Sequence, residues 1–225
     1  MIGIDVSYAQ RAIDWSRVKD ADQVISPSGR IEGPVEFAFI KATGEEIGRL
    51  FRDGRFVDNW KGARAAGVPR GAYHFMNGAA GSADGHAEAD KLLAAISAAG
   101  GLYPGDLRPA LDVEWPPKSG ALFQIEQLVE CVEAVRVALG VAPIVYTGRW
   151  YWDAIAGTEF FGWLDECPLW LASYTSAPPK PPKIWSEMAM WQFTNKGRVD
   201  GIDGAVDLNR LLTPIENLLL PKGSL

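Results

Sequence analysis

Two acidic residues lie two positions apart in the stretch PALDVEW (109–115), whose other residues are typical of a buried strand. Because side chains alternate along a strand, Asp112 and Glu114 are expected to share one face, about 6.6–7 Å apart along the chain. Ionised carboxylates are costly to bury without partners. Either the pair lies at a strand end that faces a wet pocket, or the strand assignment is wrong.

Short apolar runs alternate with helical patterns along much of the chain, which predicts a parallel sheet with crossover helices. Eight such runs favour a closed barrel. After residue 150 the connections are short or proline-rich, so the last strands are expected to pair through hairpins. We therefore predict an α/β fold, an irregular TIM-like β/α barrel of eight strands and about five helices, its last strands joined without regular helices. The predicted strands are 2–7, 35–42, 69–75, 108–114, 142–148, 168–174, 187–193 and 204–209, and the clearest helices are 54–66, 82–99 and 121–139.

Two further acids fall near predicted strand ends, Asp5 in GIDVS and Asp207 in AVDLN. In a parallel barrel the catalytic residues come from the carboxyl ends of the strands. Closure makes the first and last strands neighbours, so Asp5 and Asp207 should meet, with Asp112 and Glu114 across the mouth. Clustered carboxylates either bind a hard cation or perform acid–base chemistry with their pKa values pushed apart. Glycoside hydrolysis needs the second arrangement, with one carboxyl protonating the leaving oxygen and another attacking or stabilising the anomeric carbon.

The composition limits the classes of molecule that the protein is expected to bind. The chain has 225 residues and a net charge of −6, and an acidic balance argues against nucleic acid and anionic membranes, which reward basic surfaces. Its two histidines lack paired spacing, so no zinc site, and no metal or cofactor, is expected. Cys131 and Cys167 are too few to staple a chain of this length and are expected to be reduced.

The N-terminal stretch MIGIDVSYAQ enters a strand at once and lacks the basic region, apolar core and cleavage site of a signal peptide. No apolar run is long enough to cross a membrane, so no membrane insertion is expected. We expect synthesis in the cytoplasm without a signal peptide, and action outside a cell only after release by another route. The oligomeric state is open between a monomer and a weak dimer.

Seven stretches, in order along the chain, resemble the glycoside hydrolase family 25 lysozymes, the Chalaropsis-type muramidases common as phage endolysins and bacterial autolysins. No single motif is decisive, but seven in register are highly specific together. They span about residues 2–212 and are GIDVSYAQRAIDWSRVK (3–19), FAFIKAT (37–43), FVDNWKGARAAGVPRGAYHF (56–75), PALDVEW (109–115), PIVYTG (143–148), PLWLASY (168–174) and MWQFTNKGRVDGIDGAVDLNRL (190–211).

The resemblance implies a barrel enzyme that cleaves the β-1,4 bond between N-acetylmuramic acid and N-acetylglucosamine in bacterial peptidoglycan, and a phage endolysin fits it best. By motif, Glu114 matches the general acid. Asp112 is its companion carboxylate, which acts either as nucleophile or by orienting the substrate's acetamido group. Asp5 and Asp207 match the two other acids of the cleft, which shape its charge and position the acetamido group. Glycan strands are the expected partner.

Six further residues near strand ends are candidates for sugar binding. Aromatic rings stack on pyranose faces and phenols bond to acetamido groups, although core packing is the alternative for each ring. Gln192 could hydrogen-bond a sugar, and His74 is either a cleft residue or a satisfied buried histidine. Trp115 is expected to face away from the acid pair. The aromatic candidates are Tyr73, Tyr146, Tyr174 and Trp191.

The chain departs from the family pattern at 24–35, a predicted surface loop that lengthens the first connection, and at GEEIGRLFRDGR (44–55). Both are expected to alter one wall of the cleft. We expect a catalytic barrel over 1–212 and a short C-terminal helix and tail over 213–225, begun by a capping box from Thr213 to Glu216. Two other functions stay open, a Mg²⁺- or Ca²⁺-dependent barrel hydrolase using the same acids and a catalytically silent wall-binding domain.

Overall fold

The strands of this protein close into a barrel, seen in a computed structural model that describes residues 1–30, 32–46, 49–76, 84–114, 121–155 and 164–221. Trp115 lies outside these ranges. The strands are β1 (Ile2–Val6), β2 (Val35–Glu46), β3 (Arg49–Arg52), β4 (Arg70–Phe75), β5 (Ala110–Val113), β6 (Ile144–Gly148), β7 (Leu169–Ala172), β8 (Met190–Gly197) and β9 (Val206–Leu211). The helices are α1 (Trp15–Asp20), α2 (Phe56–Ala65), α3 (Gly85–Ala98), α4 (Ala121–Leu139) and α5 (Arg149–Ile155), with short 3₁₀ turns at Tyr8–Gln10, Leu164–Glu166 and Ile215–Asn217.

Eight strands form the closed barrel in the order β1-β9-β8-β7-β6-β5-β4-β2, and pairing of β1 with β2 closes it. The predicted irregular barrel with about five helices is therefore confirmed. The ninth strand, β3, lies outside the barrel and pairs antiparallel with the far end of β2. It comes from the departing stretch 44–55, which the sequence did not predict as a hairpin.

The last strand closes the barrel in the opposite direction to the others. β9 is antiparallel to both β1 and β8, whereas β1, β2 and β4 to β8 pair in parallel. Hairpin pairing is thus confirmed for β8 and β9, whereas β7 and β8 pair in parallel. Asp207 is consequently near the beginning of its strand, and it reaches the catalytic rim only because β9 runs backwards.

Alternation divides each strand between two apolar layers. Residues such as Ile4, Ile40 and Leu111 face outward and pack beneath the helices, while Phe37 and Phe39 point into the barrel. The barrel interior has room for these rings because glycines lie opposite them. A Cβ atom at Gly3 would lie 2.2 Å from the Phe37 ring, and one at Gly71 would lie 2.3 Å from the Phe39 ring.

Residues 215–219 pack against the lower end of the barrel interior. Leu218 is buried in the barrel interior with Leu107 and Leu211, and Ile215 and Leu219 pack beside it. The predicted capping box does not form, because the 3₁₀ turn begins at Ile215 and no side chain caps it. A boundary at residue 212 stays a prediction.

Two further expectations concern the whole chain. Cys131 and Cys167 are both buried and unpaired, as expected of reduced cysteines. None of the helices in the described ranges has the length and apolar character needed to cross a bilayer.

Candidate active site

A polar pocket of about 280 Å³ opens at the rim where the parallel strands end. All four predicted acids line it. Asp5, Asp112 and Asp207 lie within strands, and Glu114 lies just after the end of β5. Three of the predicted aromatic residues and Gln192 line it as well. The lining residues are Asp5, Lys41, Tyr73, Phe75, Asp112, Glu114, Tyr146, Trp170, Tyr174, Gln192, Asn195 and Asp207.

Asp5 and Asp207 form a close carboxyl pair. They are directly opposite in the register of β1 and β9, and their side chains share a hydrogen bond. Burial, followed by the charge of Asp5 and its hydrogen bond, raises the pKa of Asp207 to about 9. The two carboxyls therefore share a proton at neutral pH.

Asp5 is held by two amide donors as well. Its Oδ2 accepts hydrogen bonds from Asn209 Nδ2 at 2.8 Å and from Gln192 Nε2 at 3.0 Å. Trp170 Nε1 donates to Asn209 Oδ1 at 2.8 Å, which fixes the orientation of that amide. Burial raises the pKa of Asp5, and these hydrogen bonds oppose the rise because they favour the ionised form.

Asp112 lies deeper in the pocket than its strand partner. Its side chain is buried, and Oδ1 has no hydrogen-bond partner among the described residues. Burial raises the pKa of Asp112 well above its ordinary value, and the charge of Glu114 adds to the rise. The positive charge of Lys41 acts in the other direction.

Glu114 lies just beyond the end of β5 and is partly exposed. Its Oε2 lies 3.4 Å from Tyr146 Oη, a long contact compared with the 3.0 Å from that hydroxyl to Gln192 Oε1. Burial and then the charge of Asp5 raise the pKa of Glu114, while the Tyr146 hydrogen bond and Lys41 lower it. A carboxyl that keeps its proton closer to neutral pH, at the open side of the pocket, is suited to donate that proton to a ligand.

Gln192 connects the phenols of the pocket to Asp5. Its Oε1 accepts hydrogen bonds from Tyr146 Oη and Tyr174 Oη, each at 3.0 Å, while its amide group donates to Asp5. These contacts determine which way the amide points. Tyr73 also faces the pocket from β4.

His74 is placed elsewhere, although it follows Tyr73 directly. Neighbouring residues of a strand face opposite sides, so His74 points outward into the layer beneath α3. The ring is fully buried, with Nδ1 2.8 Å from Thr43 Oγ1 and Nε2 3.7 Å from Glu88 Oε1. His74 does not line the pocket. It is a buried histidine of the barrel wall, which was the alternative to a place in the cleft.

Trp191 is separated from the pocket for the same reason, because Gln192 beside it on β8 faces inward. Trp191 lies on the outer face, where its Nε1 donates to the backbone oxygen of Ser173 at 2.7 Å. It lines a different groove outside the barrel wall. Direct stacking of Trp191 on a sugar in the acidic pocket has no support in this arrangement.

Four lining residues were missed in the sequence, namely Lys41, Phe75, Trp170 and Asn195. Among the described residues that line the pocket, Lys41 is the only basic one, and its Nζ lies 4.5 Å from the centre of the Phe75 ring. Phe51 of β3 lies 5.7 Å away on another side, so the departing hairpin does form part of this wall. Alternation in FAFIKAT contained the signal for Lys41, because it shares a face with Phe37 and Phe39.

The four acids do not have the geometry of a metal centre. Within the described ranges, no three His, Cys, Asp or Glu side chains converge in a way that could hold a metal ion. Asp5 and Asp207 instead share a proton, and the amide groups of Gln192 and Asn209 donate hydrogen bonds to Asp5. The arrangement can donate a proton at Glu114 and present a second carboxyl, Asp112, on the same strand face.

Paired carboxyls at the mouth of a closed β/α barrel are an arrangement used by glycoside hydrolases, in which the two groups flank the bond to be broken. Residues 4–202 match the model of glycosyl hydrolases family 25, and the chain belongs to that family. It is 32% identical over 217 residues to lysozyme M1 of Streptomyces globisporus, covering 92% of this chain and 66% of that protein.

Solved structures agree with this assignment. The lysozyme of Streptomyces coelicolor superposes with a TM-score of 0.77 at 28% identity, covering 97% of this chain and 94% of that one. The spore cortex lytic enzyme SleM of Clostridium perfringens gives a TM-score of 0.79 at 28% identity, covering 97% of this chain and 69% of that one. The protein is therefore a glycoside hydrolase of the lysozyme type.

Proposed function

We propose that the protein degrades bacterial peptidoglycan by cleaving the β-1,4 bond between N-acetylmuramic acid and N-acetylglucosamine. The observation that supports this most directly is the convergence of Asp5, Asp112, Glu114 and Asp207 on one pocket, with burial raising the pKa of each. Membership of a family that contains lysozymes agrees with it. Action at the cell wall follows, and release by a phage stays a prediction.

Glu114 is the proposed general acid. It would protonate the glycosidic oxygen as the bond to the anomeric carbon breaks, and then activate the water that completes hydrolysis. Tyr146 Oη lies 3.4 Å from Glu114 Oε2 and so restricts the direction of that carboxyl.

Asp112 is the proposed companion, in one of two roles. It either attacks the anomeric carbon or orients the substrate's acetamido group to do so. Either role needs the ionised form, and both Lys41 and the positive charge that develops on the sugar favour it.

Asp5 and Asp207 are proposed to hold the acetamido group and the charge of the pocket. Tyr73, Tyr146, Tyr174 and Gln192 present the ring faces and polar groups of the same wall. The hydrogen bonds of Tyr146 and Tyr174 to Gln192 pre-organise the wall before a sugar binds.

The test is mass spectrometry of fragments released from purified peptidoglycan, reduced with borohydride, with EDTA present. Fragments ending in reduced muramic acid are expected. Fragments ending in reduced glucosamine would show that the other glycosidic bond of the strand is cleaved. Release of fragments only after Mg²⁺ or Ca²⁺ is added would indicate a metal-dependent mechanism instead. Binding to the wall with no release at all would leave a silent wall-binding domain.

The matched variants are Glu114→Gln and Glu133→Gln. Glu114→Gln keeps the side-chain shape but cannot supply the proton, so we expect a loss of turnover of at least about a hundredfold with wall binding retained. Glu133 is an exposed residue of α4 paired with Arg136, so its neutralisation should leave turnover unchanged. Full activity of Glu114→Gln would remove Glu114 from the assigned role.

A further inference from the structure

A second groove, of about 550 Å³, lies outside the barrel wall beside the acidic pocket. One side is formed by residues 26–28, 30 and 32, which belong to the insertion in the first connection, and the other by residues 174–178. Its floor is the outer face of β8 and β9, where Trp191 and Arg210 are directly paired across the two strands.

The groove is formed by backbone contacts rather than by loose loop packing. Ile25 and Arg198 exchange two backbone hydrogen bonds of 3.0 and 2.9 Å, which attach the insertion to the chain just after β8. Within the insertion, Val24 and Gly33 are joined at 2.9 Å and Ser26 and Arg30 at 3.0 Å. A ligand would therefore meet a wall that is already in place, with little ordering to do.

The floor is aromatic, with the partly exposed Phe193 ring packed beside the buried Trp191. Trp191 and Phe193 lie with their ring centres 5.5 Å apart, and the indole nitrogen of Trp191 is already bonded to Ser173. Arg210 lies over the Phe193 ring at 5.4 Å. These residues provide apolar contact and one stacked cation at the bottom of the groove.

The charges of the groove are unbalanced. Both Arg30 and Arg210 approach the carboxylate of Glu32, so two cations share one anion. Arg210 Nε is buried and has no hydrogen-bond partner in the described part of the chain. In a protein of net charge −6, this groove is a site with one excess positive charge.

The groove is continuous with the acidic pocket at one residue. Tyr174 lines both, with its hydroxyl bonded to Gln192 on the pocket side. A chain that leaves a sugar in the pocket can pass over the rim at Tyr174 and descend the outer wall. The peptide attached to the muramic acid branches away from the glycan strand, so it is the part of the substrate that can take this path.

The geometry points to a binding site for the stem peptide of the substrate in this groove, with Arg210 binding a peptide carboxylate and Phe193, supported by Trp191, contacting its methyl side chains. Stem peptides combine free carboxylates with alanine methyl groups, which is the chemistry that the groove complements. This inference rests on the proposed function, because it presumes that a muramic acid occupies the pocket.

The test compares two substrates of equal glycan length. One is soluble glycan with its stem peptides, and the other is the same glycan after an amidase has removed them. kcat/KM is measured for each by the release of reducing ends. Wild-type protein is expected to prefer the peptide-bearing strands. Arg210→Gln is expected to lose about tenfold on these strands, as for one charged hydrogen bond, and to stay within about twofold on the stripped strands.

Two further variants complete the design. Phe193→Leu keeps an apolar side chain but removes the ring face, and it should lose activity in the same substrate-dependent way if Arg210→Gln folds poorly. Arg136→Gln removes an exposed, ion-paired arginine on α4 and should change neither value. Activity on stripped strands also serves as the folding control for each variant.

Equal wild-type kcat/KM on both substrates would overturn the inference, as would equal losses of Arg210→Gln on both. Failure of wild-type protein to release reducing ends from either substrate would contradict the proposed function instead. The two failures are therefore distinguishable.

Discussion

Glu88 provides a quantitative test of the electrostatics behind the barrel wall. It lies on α3, fully buried, facing His74 of β4 and close to Glu45 of β2. Burial, followed by the hydrogen bond and charge of Glu45, raises the pKa of Glu88 to about 9. Burial also lowers the pKa of His74 to about 3, with Lys41 adding to the effect. At neutral pH the pair is thus a protonated carboxyl beside a neutral ring, and not an ion pair.

The pH dependence of stability follows from the Glu88 shift. A carboxyl whose folded pKa exceeds its unfolded pKa binds an extra proton in the folded state between the two values. Its contribution is complete below an unfolded pKa of about 4.3 and is lost as the pH rises through the folded pKa of about 9. One extra proton corresponds to a slope of about 1.4 kcal/mol per pH unit, or roughly 3 kcal/mol between pH 6 and pH 8.

Glu88→Gln keeps the shape of the side chain but cannot titrate. We therefore expect the free energy of unfolding of the variant to fall less steeply with pH than that of wild-type protein, with the difference close to one proton over pH 6–8. The pocket acids are present in both proteins, so their effect cancels. His74 acts with the opposite sign and only below its unfolded pKa of about 6.5, outside this window for the most part.

The assay is urea unfolding followed by circular dichroism at several pH values from 5.5 to 8.5. Glu133→Gln, which neutralises an exposed carboxylate, is the control and should give a curve parallel to that of wild-type protein. Parallel curves for Glu88→Gln as well would mean that Glu88 binds its proton equally in both states. The assignment of a protonated buried carboxyl would then be refuted.

Two other predictions concern the pocket and the barrel interior. The charge of Lys41 lowers the pKa of both Asp112 and Glu114, so in Lys41→Met both limbs of the pH profile of kcat/KM should move to higher pH. Lys61→Met, at an exposed lysine, is the control. An unchanged pH profile in Lys41→Met would contradict this role. Gly71→Ala places a Cβ atom 2.3 Å from the Phe39 ring, and overpacking of this kind costs about 1–3 kcal/mol. Thermal unfolding measures it, and an unchanged Tm would show that the ring moves aside freely.

Much of this fold was accessible from local patterns. Strand alternation in ALDVE placed Asp112 and Glu114 on one face, and the structure has both at one pocket. Helix 121–139 begins and ends where the apolar stripe and Gly140 indicated. These features depend on residues close together in the chain, which is why the sequence was sufficient for them.

Other features depend on which face of a strand meets the pocket, and consistent use of alternation would have settled them. Tyr73 and His74 cannot both face inward, nor can Trp191 and Gln192, because adjacent residues of a strand point to opposite sides. Choosing Tyr73 and Gln192 excludes the other two. Lys41 is found by the same rule.

The direction of β9 could not be read in this way, since the alternation of a strand is identical in both directions. Its consequence is chemical. An antiparallel β9 brings Asp207 to the rim at the start of the strand and places Asn209, two residues later, one layer deeper on the same inner face. From there Asn209 donates to Asp5, as Gln192 does from β8. A parallel last strand with the same sequence would put Asn209 nearer the rim and Asp207 below it, so Asp5 would lose one of its two amide donors and the rim would lose an acid. The irregular closure of the barrel therefore supplies the pocket with its fourth acid and with one of the two amide groups that favour the ionised form of Asp5.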